Sequence, residues 1–500
     1  MFRGYALAAG LMALTFGLRA PFWSRPLDMD EGLYAYGGWQ LLKGVVPYRD
    51  LWDFKPPGAY FLNALIFGIT SPEAVNIYLL AAVFGSLTCL AVYKIAYLLW
   101  GRSTALLSGI IFAFFSVSPY IQGCGVNTEV FMIAPLTWFL YAILKAAEGE
   151  DRTRYFCAGL LAGLALLFKQ VAGVGVLLGL IAALGSARPC RWNMRRALFS
   201  VTMFLAGVVV LWGAVSLYFL YNGALKEWFF WQVVYPFTYM GYTFLEQTWQ
   251  RNLFRIAWTM QGTQILWLLS MVGLARVIRR SSFFGERLVG LFFLLSALGV
   301  CAGWNFFPHY FIQMAPVVAL FGARGIHLLY EVVRSKKSLV LTSLAITVLL
   351  VAGTLFSAAH YKFFAVYTGD EVSMHENVWG FPPFPLFGTA RRLGLDLRDH
   401  TGENETLFVW KHHPEINFYA LRKTPVRSPI ISLPDLPRLR PDVIRDLERA
   451  YPDYIVLFDP VTPFRFAELV SILKSRYVQV YGIKGLAFAE QGVYRRKPDE

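Results

Sequence analysis

From residue 4 to residue 358 the chain is a succession of long apolar runs separated by short polar stretches. Eleven runs approach the roughly 20 residues that carry a helix across a bilayer. They lie at 4–20, 73–99, 104–119, 128–146, 154–168, 171–187, 197–222, 261–278, 287–303, 310–331 and 338–358. A membrane barrel would need short segments of alternating polarity, and the chain does not show them. The pattern therefore predicts an α-helical polytopic membrane protein with about eleven spans. Past residue 358 the apolar runs shorten to strand length while prolines and charges rise. There, 407–410 and 454–457 read as buried strands, and 441–451 and 464–477 as helices. The chain is thus expected to comprise a membrane domain at 1–358 and a small α/β domain at 359–500. No phosphate-cradling glycine loop lies in the latter.

Two stretches between the runs are unusual. Residues 21–72 are too polar to cross the bilayer and too apolar to float free. Within them, 32–44 has Leu33, Tyr36, Trp39 and Leu42 at helical spacing, and 59–70 is apolar but too short to span. Both are expected to be helices lying in the membrane interface. The second stretch, 223–260, is dense in aromatic residues such as Trp228, Trp231, Tyr235 and Tyr239, which suit the headgroup level.

Composition sharpens the class. Of 500 residues, 56% are hydrophobic and 16% charged, against about 25% charged in soluble proteins. The net charge of +14 would raise nucleic-acid binding in a soluble chain. Here the basic residues cluster in alternate loops: Arg102; Lys145, Arg152 and Arg154; Arg188, Arg191, Arg195 and Arg196; Arg276, Arg279, Arg280 and Arg287; Arg334, Lys336 and Lys337. Such loops face the cytoplasm, and no nucleic-acid motif accompanies them. The N-terminus is then inside, and the 21–72 loop and everything past 358 are outside. The first run reads as an uncleaved span, because Leu18-Arg19-Ala20-Pro21 is a poor cleavage site. The five cysteines form no C-x-x-C and imply neither a disulfide framework nor a metal site.

The chemistry concentrates in the first loop. Asp28-Met29-Asp30-Glu31-Gly32 is followed by Pro47-Tyr48-Arg49-Asp50 and by Asp53-Phe54-Lys55-Pro56-Pro57-Gly58. Charges next to apolar spans are costly and mark function by default. A carboxylate can take a proton from a hydroxyl, and a lysine can hold a phosphate as a point charge. The pairing fits a reaction in which a hydroxyl attacks while a phosphate leaves. Capping of a helix start explains the acidic cluster equally well. Asp28-Met29-Asp30 also has the D-x-D form of some metal sites.

These motifs resemble the first external loop of the GT-C glycosyltransferases, in the branch holding protein O-mannosyltransferases and the lipid A aminoarabinose transferase. Asn127-Thr128-Glu129, Gly163-Leu164-Ala165-x-x-Phe168-Lys169-Gln170, His309-Tyr310-Phe311 and Pro414-Glu415-Ile416 extend the resemblance over almost the whole chain. It implies a transferase moving a monosaccharide from a polyprenyl-phosphate carrier to a lipid, polysaccharide or protein hydroxyl outside the cytoplasm. It implies Asp30 as the catalytic carboxylate, Glu31 as its acidic neighbour and Lys55 as the contact to the lipid phosphate. Asp28, Glu129, Lys169, Arg251, Arg255, His309 and Tyr310 are further candidates for substrate or lipid-phosphate contact. For several of them a plainer role serves as well: capping for Glu129, snorkelling for Lys169, headgroup attraction for Arg251 and Arg255, packing for His309. Where aminoarabinose transferases carry a Glu just before the lysine, this chain has Phe54, so no metal and no other cofactor is expected. Membrane lipids are the expected surroundings, in the plasma membrane. A lipid-linked sugar flippase shares the charges and spans but should show internal repeats broken at mid-membrane depth, and no convincing repeat is present. A non-catalytic partner in envelope assembly is the other alternative; the presence of Asp30 and Lys55 argues against it.

Overall fold

The computed structural model describes residues 2–149, 152–185, 194–246, 248–281, 283–336, 338–366, 387–411, 413–429, 436–458, 463–482 and 491–498. Arg188, Arg191, Cys190, Lys337 and His412 lie outside these residues.

All eleven apolar runs fall on helices. Among the described residues, seven helices are long and apolar enough to cross a membrane: Gly4–Phe22, Ala74–Trp100, Thr128–Ala147, Met194–Tyr221, Phe284–Cys301, Pro308–Ser335 and Leu339–His360. An eighth candidate is a pair, Trp249–Thr259 and Gln264–Arg280, bent by 92°. The remaining three runs form Arg102–Phe115, Arg152–Leu166 and Gly173–Gly185, of 14, 15 and 13 residues. These fall short of the roughly 20 residues that a lone perpendicular helix needs. Among the described residues, seven to eight apolar helices of spanning length thus stand beside the expectation of about eleven spans. Within Leu339–His360 an 18-residue apolar window has none of its residues buried within the protein. A helix apolar all round and uncovered by protein belongs in lipid, and the chain is an integral membrane protein.

Contacts divide the chain into two compact units. The first gathers residues 1–23, 78–218 and 237–368. It is a helical bundle in which Thr128–Gly149 packs on Arg152–Leu166, and Gln264–Arg280 on Ala315–Lys336.

The second gathers residues 24–77, 219–236 and 369–500. The first loop and part of the aromatic stretch thus pack with the C-terminal residues. Its four-stranded sheet has the order β1-β2-β4-β3, with β1 Leu407–Val409, β2 Tyr454–Leu457, β3 Tyr477–Gly482 and β4 Gly492–Arg496. β1 and β2 are parallel, with Phe408 opposite Ile455; β4 runs antiparallel to both its neighbours. The parallel pair is buried throughout, which is why it reads as two short continuous apolar runs. Helices Phe387–His400, Pro414–Ala420, Leu436–Ala450 and Pro463–Arg476 accompany the sheet. Leu393, Leu397, Ile416, Val456 and Val493 share its core.

Within this unit, Met29–Leu41 and Gly58–Ile69 are helices. The first begins three residues before the periodicity suggested, because a capping box starts it. Asp28 accepts the Glu31 N–H at 2.8 Å, and the Glu31 carboxylate accepts the Asp28 N–H at 2.9 Å. Every residue from Glu31 to Gln40 is buried. Protein covers the helix on all sides, so its apolar spacing is loose. Two glycines permit the approach. A Cβ on Gly38 would stand 2.4 Å from Asn63 Cβ, and one on Gly32 would stand 2.3 Å from Glu415 Cβ.

Candidate functional site

Asp30 and Lys55 come together inside the second unit. The Lys55 ammonium lies 3.9 Å from an Asp30 oxygen, and the two side chains keep 13% and 30% of their exposure. Asp30 thus stays partly exposed, while Lys55 is mostly covered. Their positions come from opposite devices. Asp30 sits in the first turn of Met29–Leu41, where the free N–H groups favour negative charge. Lys55 precedes Pro56-Pro57 and the start of Gly58–Ile69. Its carbonyl accepts the Tyr48 hydroxyl at 2.7 Å and the Gln232 amide at 2.9 Å. Two donors from distant segments thus pin the lysine backbone, while its ammonium rides over the Phe54 ring at 5.1 Å.

Glu31, expected beside Asp30 as a catalytic neighbour, is occupied otherwise. Its side chain is fully buried, and both oxygens accept from Arg25 at 3.0 and 2.9 Å. With the Asp28 N–H also bound, this carboxylate closes the helix start rather than facing a substrate. Asp28 shares that network, with Arg25 at 3.9 Å. Burial, reinforced by the Glu31 charge, holds the Asp28 carboxyl well above its usual range although Arg25 opposes the rise.

Asp53 joins the site without having been singled out from the sequence. It accepts the Tyr60 hydroxyl at 2.5 Å and the Phe54 N–H at 2.8 Å. Burial pushes its carboxyl up to about 6, against the pull of the Lys55 ammonium and those two hydrogen bonds; the Asp30 charge adds to the rise. The D-x-K spacing was its one signal in the sequence. Arg25 had none, since its partner lies six residues on, across the cap, at no regular helical interval.

A second cluster lies in the first unit. The Lys169 ammonium pairs with Glu129 Oε1 and stands 4.1 Å over the Tyr310 ring. His309 Nε2 is 3.9 Å from the same Glu129 oxygen, and its Nδ1 meets Gln122 Oε1 at 2.8 Å. Thr128 donates to the other Glu129 oxygen at 3.1 Å. Glu129 and Lys169 are both buried. A headgroup-snorkelling role for Lys169 does not fit a buried ammonium paired with a carboxylate. Arg255, expected to reach lipid headgroups, is 1% exposed. It donates to the Asn305 carbonyl and lies 4.4 Å over the Phe307 ring. Arg251, on the same helix, is exposed. Among the described residues no three His, Cys, Asp or Glu side chains gather as metal ligands would.

Comparison with known proteins bears on the family and the fold. Residues 54–212 match the family described as dolichyl-phosphate-mannose-protein mannosyltransferase. The structure is similar to ArnT from Cupriavidus metallidurans bound to undecaprenyl phosphate, at 13% identity and a TM-score of 0.58, over 98% of this chain and 97% of that one. It is also similar to the apo oligosaccharyltransferase of Archaeoglobus fulgidus, at 13% identity and a TM-score of 0.53, over 90% of this chain and 69% of that one. No curated protein sequence matches the chain. At such identity the structural likeness is one of fold.

Proposed function

We infer that this chain, a GT-C glycosyltransferase of the protein mannosyltransferase and ArnT branch using a lipid-linked sugar, transfers a single sugar from polyprenyl phosphate to an acceptor hydroxyl. We place the reaction on the non-cytoplasmic side of the plasma membrane. The observation that carries the reading is the Asp30–Lys55 pair at 3.9 Å. Asp30 takes the proton of the acceptor hydroxyl. The freed oxygen attacks the anomeric carbon as its bond to the phosphate oxygen breaks. The electron pair leaves with the phosphate, whose developing charge the Lys55 ammonium meets. Attack opposite the leaving group inverts the sugar carbon. No step uses a metal. The carrier is supported by ArnT, which was seen with undecaprenyl phosphate. Glu31 and Asp28 hold the Asp30 helix in place. Glu129, Lys169, His309, Tyr310 and Arg255 form a second binding cluster, for which we propose contact with the anionic part of a substrate.

The test is transfer by purified protein in nanodiscs, with defined undecaprenyl-phosphate sugars and extracted envelope lipids or polysaccharide as acceptors. Asp30→Asn is expected to lower turnover by about 100-fold or more, while the protein still inserts and binds undecaprenyl phosphate. Lys55→Met is expected to weaken that binding. Normal turnover by Asp30→Asn would remove the carboxylate from the mechanism.

A further inference from the structure

Two hollows in the second unit share one wall, the Arg427 side chain. The larger, about 450 Å³, is floored by Trp52 and Trp231 and flanked by Arg49, Lys226, Glu227 and Asp442. The smaller, about 270 Å³, is lined among others by Tyr36, Gln40, Lys43, Asp50 and Lys423. The larger has the size of an ordinary small-ligand site.

Their lining is built rather than incidental. The Trp52 and Trp231 rings lie side by side, with centroids 5.7 Å apart and planes tilted by 37°. Arg427 covers Trp52 at 4.5 Å and is held by both Asp446 oxygens at 3.0 Å. Arg49 is fixed in the same way on Asp50, at 2.9 and 2.8 Å. Both guanidinium groups are thus pre-oriented. Gln40 is 1% exposed, yet neither its amide oxygen nor its nitrogen has a hydrogen-bond partner. A buried amide left unsatisfied is costly, and this one lines the smaller hollow.

The hollows are tied to the reaction centre by the chain. Trp52 lies three residues before Lys55, and three residues reach at most about 11 Å. Trp231 adjoins Gln232, whose amide holds the Lys55 carbonyl at 2.9 Å. Aromatic faces beside mixed charged groups suit a ring with apolar faces and hydroxyl edges. A lipid tail would leave these charges unsolvated. Arg49 is paired with Asp50, and Arg427 with Asp446 and Asp442, which leaves Lys43, Lys226 and Lys423 against Glu227 in the lining and favours an acidic substituent.

We propose that these adjoining hollows are the acceptor subsite, and that the acceptor is a glycan bearing a carboxylate or phosphate. This rests on the transferase reading above and supplies its substrate class. Full-length protein is tested on an array of neutral, uronic-acid-bearing and phosphorylated oligosaccharides, with serine- and threonine-containing peptides beside them. Undecaprenyl phosphate binding is measured in parallel. Acidic glycans should bind in preference to neutral ones. Trp231→Ala and Lys423→Glu should each weaken that binding about ten-fold or more and leave undecaprenyl phosphate binding unchanged. Binding of neutral glycans alone, of peptides in place of glycans, of nothing on the array, or binding indifferent to both variants overturns the proposal. The donor reading fails separately, if Lys55→Met binds undecaprenyl phosphate as wild type does.

Discussion

At the scale of single residues, neighbouring acids in one loop do different work because their surroundings differ. Glu31 is sealed against Arg25, and Asp30, one residue earlier, stays partly exposed beside Lys55. Removing one partner of a buried ion pair leaves an uncompensated charge, at a cost of about 3–5 kcal/mol. Arg25→Ala should therefore lower the melting temperature far more than Arg49→Ala. The Arg49 and Asp50 side chains keep 41% and 37% of their exposure, and pairs open to solvent are worth roughly 0–1 kcal/mol. Equal shifts in detergent would argue that Glu31 is not held as described. Asp53 carries a pH signature. Its folded-state carboxyl titrates near 6, above the usual 3.8. The folded protein thus keeps that proton longer than the unfolded chain does. Stability contributed by the neutral form is lost as pH rises from about 4 to about 6, up to about 3 kcal/mol. Asp53→Asn should raise the melting temperature at pH above 6, with the gain fading as pH falls towards 4. A gain independent of pH over that window would contradict the assignment.

At the scale of elements, the Met29–Leu41 helix carries Asp30 and is gripped on all sides. Its close approach to Gly58–Ile69 passes through Gly38, where a Cβ would sit 2.4 Å from Asn63 Cβ and 3.0 Å from the Ala64 nitrogen. Neither neighbour is the free end of a flexible side chain. Gly38→Ala is expected to cost about 1–3 kcal/mol by overpacking and to reduce turnover by shifting Asp30. Gly10→Ala, where a Cβ meets nothing within 4 Å, should leave stability and turnover near wild type. Matching thermal shifts and rates for the two variants would show that the helix contact does not set the site. The sheet illustrates a different limit. β1 and β2 are apolar runs and were readable; β3 has an exposed pattern over most of its length, and β4 ends in Arg495 and Arg496. Nothing local marks such strands, because their pairing partners supply the reason for their conformation.

At the scale of the whole molecule, the distribution of lysine and arginine predicts that the C-terminal residues lie outside the cytoplasm. In a cysteine-free background, Arg495→Cys should react with a membrane-impermeant maleimide in cells whose outer layers are opened. Arg102→Cys should react only after the inner membrane is lysed. The reverse labelling would invert the orientation and with it the location of Asp30 and Lys55. The membrane class and the helical runs follow from sequence alone, since bilayer burial imposes long apolar windows; it also makes charges beside them, such as Asp30 and Lys55, conspicuous. Which acids stay open and which are sealed does not follow, nor does the packing of residues 24–77 with residues beyond 387. Those depend on contacts between segments hundreds of positions apart, such as Gly32 on Glu415 and Tyr36 on Thr424. Burial and partner geometry at such contacts are properties of the folded chain, and they decide whether a carboxylate braces a helix or meets a substrate.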